Sequence, residues 1–199
     1  MKSKLFRAAI IVIILLSSFY ISIRIGHQEE ASVFTLPSLP RPIAKEAVLI
    51  TSAGQSTDSY IVKDIANQMM IRNYFMPQAK ETDLEDISTI VFVIGYSPLG
   101  EQLHEMSYED EKNRIKRLLE KAESKNITIL AVYIGGEQRR GKNTDELLKL
   151  VCPHSDYLIS LKNSNHDNLL SNLAKSNNIP LTLVKEVNDI AGPFASAFR

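Results

Sequence analysis

Hydroxyl, carboxamide and carboxylate groups crowd the stretch Val48–Asp58, VLITSAGQSTD. Thr51, Ser52, Ser56 and Thr57 bring hydroxyls, Gln55 an amide and Asp58 an acid. Val48, Leu49 and Ile50 read as a buried strand that breaks at Ala53-Gly54 and restarts as a helix near Ser56. The first backbone N–H groups of such a helix have no partner within it. With the positive end of the helix dipole they form a candidate anion site. Ser52, Gly54, Gln55 and Ser56 are its candidate ligand-binding residues. Gln55 and Ser56 either contact a ligand or cap the helix, and Asp58 is either a first-turn acid or, in a catalytic version, a metal ligand.

A second stretch, Gly135–Gly141 (GGEQRRG), follows another apolar run. Arg139 and Arg140 can offer planar, bidentate donors to a carboxylate or phosphate. Together with the helix start after Ser52–Gln55 they would make a two-sided clamp, with Gly135 and Gly136 supplying its backbone. The alternative is that one or both arginines pair with Glu137 or Asp145 or stand in solvent. Gly54, Gly95 and Gly135 equally answer the needs of turn geometry.

Nucleophilic catalysis would draw on Ser52 or Ser56 with His154 or His166. SAGQS is not the G-x-S-x-G elbow, however, and no acid is fixed beside either histidine. Neither G-x-G-x-x-G nor G-x-x-x-x-G-K-[ST] occurs, so dinucleotide and P-loop sites lack their signature. A Ser/Thr-rich loop can hold a flavin phosphate, and Tyr96 is the loop aromatic placed to stack on its ring. His27, His104, His154 and His166 are dispersed, without metal-ligand spacing. The single cysteine, Cys152, rules out an intramolecular disulfide and a CxxC pair and reads as a small core residue. Lysines and arginines equal acids at 23 each, which argues against a broad basic face for nucleic acid. The sequence names neither a cofactor nor a protein partner; the ligand class it suggests is a small anionic molecule.

Positioning these loops requires strands that end beside one another. Ser88–Gly95 and Ile127–Ile134 are continuous β-branched or apolar runs, the mark of strands covered on both faces. Tyr157–Leu161 and Leu181–Val184 are shorter strands, and Gln78–Glu81 a candidate second strand. Between them lie helical patterns: Ile61, Ile65 and Met69 with Val62 and Ala66; Ile115, Leu118, Leu119 and Ala122 after a Ser107 cap; Leu147, Leu148 and Val151 after an Asn143 or Thr144 cap; Leu169, Leu170 and Leu173. Asn177-Asn178 reads as a C-cap, and Pro193 opens a last helix that buries Phe194 and Phe198. The alternation predicts an α/β three-layer sandwich, flavodoxin-like or Rossmann-like. A parallel sheet of about five strands in the order 2-1-3-4-5 has helices on both faces. In such sheets ligands bind at the carboxyl ends of the strands, where strand order reverses. The candidate loops are therefore Thr51–Asp58, Gly95–Gly100, Gly135–Gly141 and Lys162–Asp167.

Residues 1–25 carry an address. Lys2, Lys4 and Arg7 precede an apolar run from Ala8 to Ile25, the pattern of a secretory signal or an N-terminal anchor. Tyr20–Arg24 is bulky where a cleavage site needs small residues, which favours an uncleaved single-pass anchor. The basic flank places the N-terminus in the cytoplasm and the body outside it. Residues 26–45, with Pro37, Pro40 and Pro42, read as a semi-extended linker, with docking of Val33–Leu36 on the domain as the alternative. Residues 46–199 form the α/β domain.

The stretches TSAGQSTD, VIGYSPLG, YIGGEQRRG and NNIPLTLV resemble a bacterial envelope family with an N-terminal signal or anchor, catalogued as a domain of unknown function. The resemblance covers Ala47–Phe198 and is most distinctive at Ser52–Ser56 and Ile134–Gly141. It implies an α/β fold and a cell-envelope location and leaves three functions open: ligand binding, an enzyme of the same fold (serine hydrolase or flavin-dependent), or a protein-interaction module.

Overall fold

Six parallel strands make one sheet in the order β2-β1-β3-β4-β5-β6: β1 Val48–Ala53, β2 Asn73–Phe75, β3 Thr89–Ile94, β4 Thr128–Tyr133, β5 Tyr157–Leu161 and β6 Leu181–Val184. The computed structural model describes residues 35–199. The apolar runs explain the centre of the sheet, since every residue of β1 and β3 is buried. They pair in register from Val48↔Thr89 to Ala53↔Ile94.

Helices cover both faces. Helix α1 (Asp58–Gln68) touches α6 (Ala191–Ser196), while α3 (Tyr108–Ser124) touches α4 (Lys142–Val151). Alternate strand residues (Val48 and Ile50, Val91 and Val93, Leu130 and Val132) join Val62, Ile65 and Ala66 of α1 and Phe194 of α6 in one core, the period-two division of a sheet between its faces. On α3 the expected stripe Ile115, Leu118, Leu119 and Ala122 is buried, and Ser107 Oγ accepts from the Asp110 N–H at 3.1 Å, satisfying an orphan donor. Asn178 follows α5 (Leu169–Ser176) in the left-handed region at φ 55°, as a C-terminal stop requires.

Five local readings differ from the sequence expectation. The sheet has six strands rather than about five, and its second strand is Asn73–Phe75 rather than Gln78–Glu81, which runs from a turn into the 3-10 turn Glu81–Leu84. This edge strand pairs only with Val48–Ile50 and is only part-buried, so it carries no continuous apolar run to betray it. Ile61 is exposed and the α1 stripe falls on Val62, Ile65 and Ala66. Within Gly95–Gly100, expected as loop, Pro98 opens a short helix α2 (Pro98–Leu103) capped by Ser97, whose Oγ accepts from the Gly100 N–H at 3.1 Å. Gly141, rather than Asn143 or Thr144, precedes α4.

The proline-containing segment is also more tightly held than a tether. Leu36 N–H donates to the Leu181 carbonyl at 2.8 Å, and Ile43 and Ala44 N–H groups both donate to the Ala197 carbonyl. Leu39 and Ala44 are buried in the core, which offsets the cost of ordering the chain between them. The expected anchor, residues 1–25, lies outside the described residues, as do residues 26–34 of the linker. Among the described residues no helix is long and apolar enough to cross a membrane.

Candidate functional site

Strand order reverses between β1 and β3, because the chain leaves β1 for β2 on one side and returns to β3 on the other. The loops after these strands therefore diverge and leave a crevice at their carboxyl ends. The β1–α1 turn is bent by two successive positive φ values, 110° at Gly54 and 64° at Gln55. A Cβ on Gly54 would lie 2.5 Å from the Gly95 carbonyl oxygen and 2.6 Å from Leu147 Cδ1, so glycine is required there for space and for conformation. Gln55 has no such freedom, and its left-handed conformation costs about 1–2 kcal/mol. Several contacts hold it: an antiparallel bridge to Tyr96, a hydrogen bond from Ser97 N–H to the Gly54 carbonyl at 2.8 Å, and α2, whose Gly100 lies against the Gln55 backbone.

The strongest restraint comes from two residues of α3. Glu111 Oε1 accepts from the Gly54 N–H at 2.8 Å and Oε2 from Gln55 Nε2 at 2.7 Å. Arg114 grips the same carboxylate in two places, Nε to Oε2 at 2.8 Å and Nη2 to Oε1 at 2.7 Å. Its remaining donors reach the Ser52 carbonyl at 2.5 Å and the Ala79 carbonyl at 2.9 Å. Both side chains are buried. Sequence reasoning passed over this pair. Its signal was present, because Glu111 and Arg114 stand one helical turn before Ile115 and Leu118 on the buried stripe, where a charge is tolerated only with a partner.

The expected site residues separate into three groups. Ser52 and Ser56 are buried beside one another, with Ser52 Oγ donating to the Ser56 carbonyl at 3.3 Å. Ser56 Oγ accepts from the Asp58 N–H at 3.1 Å and from Arg139 Nη2. Arg139 Nη1 also donates to Asp58 Oδ1 at 2.6 Å, so the β4–α4 loop does meet the β1–α1 loop, through an ion pair of the protein's own. Arg139 is 43% exposed and Asp58 only 5%.

Arg140 belongs elsewhere. Its side chain is 5% exposed and donates to Asp145 Oδ1 at 2.6 Å, to Asp167 Oδ2 at 2.9 Å and to the Ser164 carbonyl at 2.5 Å. Burial works against its charge, but the bonds to Asp145 and Asp167 outweigh burial and hold it above the ordinary arginine range. Asp167 is correspondingly held low: burial opposes its ionisation, and the Arg140 hydrogen bond more than compensates. Gly135 and Gly136 form the turn that carries both arginines. Gly136 has φ 68°, and Tyr133, whose phenol is pushed up by burial, donates to the Gly136 carbonyl at 2.8 Å.

The open space at this edge lies on the β2 side of the turn. A cleft of about 560 Å³ is floored by Ser52, Gln55 and Ser56 and walled by the segment after β2 (Met76–Ala79) and by α2. Leu99 and Leu103, one turn apart on α2, line it while remaining 64% and 71% exposed. Its lining also includes His104, which the sequence pattern did not single out. The histidines weighed as general bases are placed otherwise. His154 pairs with Glu123 in the turn before β5, at the amino end of the sheet, and His166 is exposed after β5. Among the described residues neither hydrogen-bonds Ser52 or Ser56, and no three acids, histidines or cysteines are grouped to hold a metal. Among the described residues three buried side-chain atoms have no hydrogen-bond partner: Gln55 Oε1, Asp58 Oδ2 and Ser164 Oγ. Gln55 lies in the β1–α1 turn and Asp58 opens α1.

The sequence match to a known family spans residues 45–198, from the strap before β1 to the end of the last helix. The chain belongs to this family, described as Domain of unknown function (DUF6305). The match takes in the β1–α1 turn, the Glu111–Arg114 pair and both arginines of the β4–α4 loop, so the whole candidate site is inside the family's domain. No curated protein is a significant sequence match.

Among solved structures, homoserine dehydrogenase from S. aureus is similar at 15% identity and a TM-score of 0.36, over 71% of this chain and 33% of that one. The chain thus spans about a third of the dehydrogenase's length. A GDSL-like lipase from Bacteroides thetaiotaomicron VPI-5482 is similar at 12% identity and 0.35, over 72% of this chain and 71% of the lipase. An SGNH-hydrolase family esterase follows at 11% and 0.28, over 70% and 75%. Likenesses this distant say nothing of activity.

Proposed function

We propose that this DUF6305 domain is a small-molecule binding module of the bacterial cell envelope. Its seat is the cleft at the carboxyl edge of β1 and β3. The observation that carries this reading is the cleft itself, about 560 Å³ at the reversal of strand order. Ligand sites of soluble proteins are mostly apolar concavities of roughly 300–1,000 Å³ with a few convergent polar groups. Ser52, Gln55 and Ser56 are such a group, and the buried Glu111–Arg114 pair makes their backbone rigid enough to be preorganised. The anion expected between the two loops would compete with the protein's own carboxylates. Asp58 holds Arg139, and Asp145 with Asp167 hold Arg140. The cleft beside them is the open space.

On this reading residues 1–25 are a single-pass anchor that keeps the domain outside the cytoplasm. The support is Lys2, Lys4 and Arg7 ahead of the apolar run Ala8–Ile25. Protease accessibility in intact spheroplasts tests the location: a fully protected domain refutes it.

Ligand binding is tested by thermal shift of the full chain against a metabolite library, with Leu99→Asp as the blocked-cleft control. Leu99 is exposed, so the substitution leaves the core alone. The expected result is a stabilising compound whose effect disappears in the variant. Stabilisation unchanged by Leu99→Asp places the ligand outside the cleft and overturns the assignment.

A further inference from the structure

We propose that the cleft takes a neutral aliphatic molecule whose polar end donates hydrogen bonds, a primary amide or an alcohol in chemical class; this rests on the ligand-binding reading above. Three observations define that class. The first concerns charge. Among the described residues no lysine or arginine lines the cleft, and the one carboxylate there, Asp83, already accepts from the Lys80 N–H at 2.7 Å. The guanidinium groups nearest the floor are consumed within the protein, Arg114 by Glu111 and two carbonyls and Arg139 by Asp58 and Ser56. A carboxylate or phosphate would thus find no lysine or arginine, only the exposed His104 imidazole, and would enter at the cost of its hydration.

The second observation is the polarity of the floor. Gln55 is 6% exposed and lines the cleft, and its Oε1 is an acceptor with no donor, because Nε2 is held by Glu111. Ser52 and Ser59, also on the lining, both spend their hydroxyl protons on the Ser56 carbonyl, at 3.3 and 3.2 Å. What these groups offer is lone pairs. A hydroxyl oxygen that has donated its proton can only accept. Ser56 Oγ, by contrast, accepts from the Asp58 N–H and Arg139 and keeps its own proton to give. Acceptors thus outnumber donors among these floor groups, and an N–H or O–H group that can also accept complements them.

The third is the wall. Leu99 and Leu103 stand exposed on the same side of α2, facing a cleft that also receives Met76 and Pro77. Exposed leucines scattered singly need no explanation, but two on one cleft rim mark apolar surface that an occupant would cover. An alkyl chain against α2 with its polar end at Gln55 satisfies wall and floor together.

The test uses the full chain in amphipol with methyl-labelled leucine and methionine, titrated by NMR with four eight-carbon probes: octanamide, N,N-dimethyloctanamide, octanoate and octylammonium. Leu103→Asp, an exposed position, is titrated in parallel so that partition of each probe into the amphipol cancels. Octanamide is expected to shift the Leu99, Leu103 and Met76 methyls and to bind about tenfold more tightly than the dimethyl amide, which lacks the donors. It is also expected to exceed octanoate and octylammonium, and to lose most of its affinity in the variant. Equal or tighter binding of the dimethyl amide or of either ion overturns the donor-bearing neutral class while leaving a ligand in the cleft. Octanamide binding that Leu103→Asp does not weaken overturns its placement. No cleft methyl shift with any probe overturns the aliphatic class, and the library screen with Leu99→Asp then decides whether the cleft binds anything.

Discussion

Glu111→Gln isolates the contribution of the buried pair that holds the β1–α1 turn. The wild-type carboxylate accepts four hydrogen bonds, two on each oxygen: Gly54 N–H and Arg114 Nη2 on Oε1, Gln55 Nε2 and Arg114 Nε on Oε2. A glutamine of the same shape keeps one oxygen and turns the other into a donor. Whichever way it flips, two donors then face an NH₂ group, and Arg114 stays buried with its charge uncompensated. Loss of one partner of a buried ion pair costs about 3–5 kcal/mol. For a domain of this size each kcal/mol lowers the melting temperature by about 2–4 °C, so the expected fall is roughly 6–20 °C. Urea unfolding of the full chain measures it, with a lower midpoint at unchanged slope. The double variant Glu111→Leu with Arg114→Met removes the stranded charge and is expected to regain part of the loss. The turn itself stays without its anchor. A loss below about 1 kcal/mol for Glu111→Gln would show that water or backbone movement replaces the pair, and would refute the claim that α3 sets the turn.

Acid sensitivity should follow Asp167. Arg140 holds its folded-state pKa below the unfolded value near 3.9, so the contribution is complete well above that value. It drains away as pH falls through the lower folded value. Asp167→Asn should flatten that part of the stability curve, and parallel curves for variant and wild type would contradict it. The two loop glycines should differ: Gly54→Ala meets backbone at 2.5 Å at φ 110° and should cost at least about 1–2 kcal/mol. Gly141 has nothing within 4 Å and an extended φ, so Gly141→Ala should stay within about 0.5 kcal/mol in the same urea titration. Cys152 is fully buried and its thiol is pushed up to about 12 by that burial, so iodoacetamide at neutral pH should label it only after denaturant is added.

The sequence alone determined the alternation of buried strands and amphipathic helices, the Ser107 cap and the turn at Gly54, because each rests on neighbours within a few residues. Hydrophobic periodicity and glycine placement are local quantities, and Ser88–Gly95 or Ile127–Ile134 could hardly be read otherwise. It also pointed to the carboxyl edge of the sheet, where the cleft lies, since a parallel sheet carries its βα loops there in any member of the class. Tertiary structure decided which groups those loops leave free. Arg139 finds Asp58 across 81 positions and Glu111 finds Gly54 across 57, pairings that no local pattern encodes. Two adjacent arginines look alike in sequence, yet one is buried on three partners and the other is half in solvent. The cleft, likewise, is enclosed only when the chain after β2 and the helix after β3 come to stand on either side of Ser52 and Gln55. Such a volume belongs to no segment, and so only the assembled sheet, with its strand order reversed between β1 and β3, creates it.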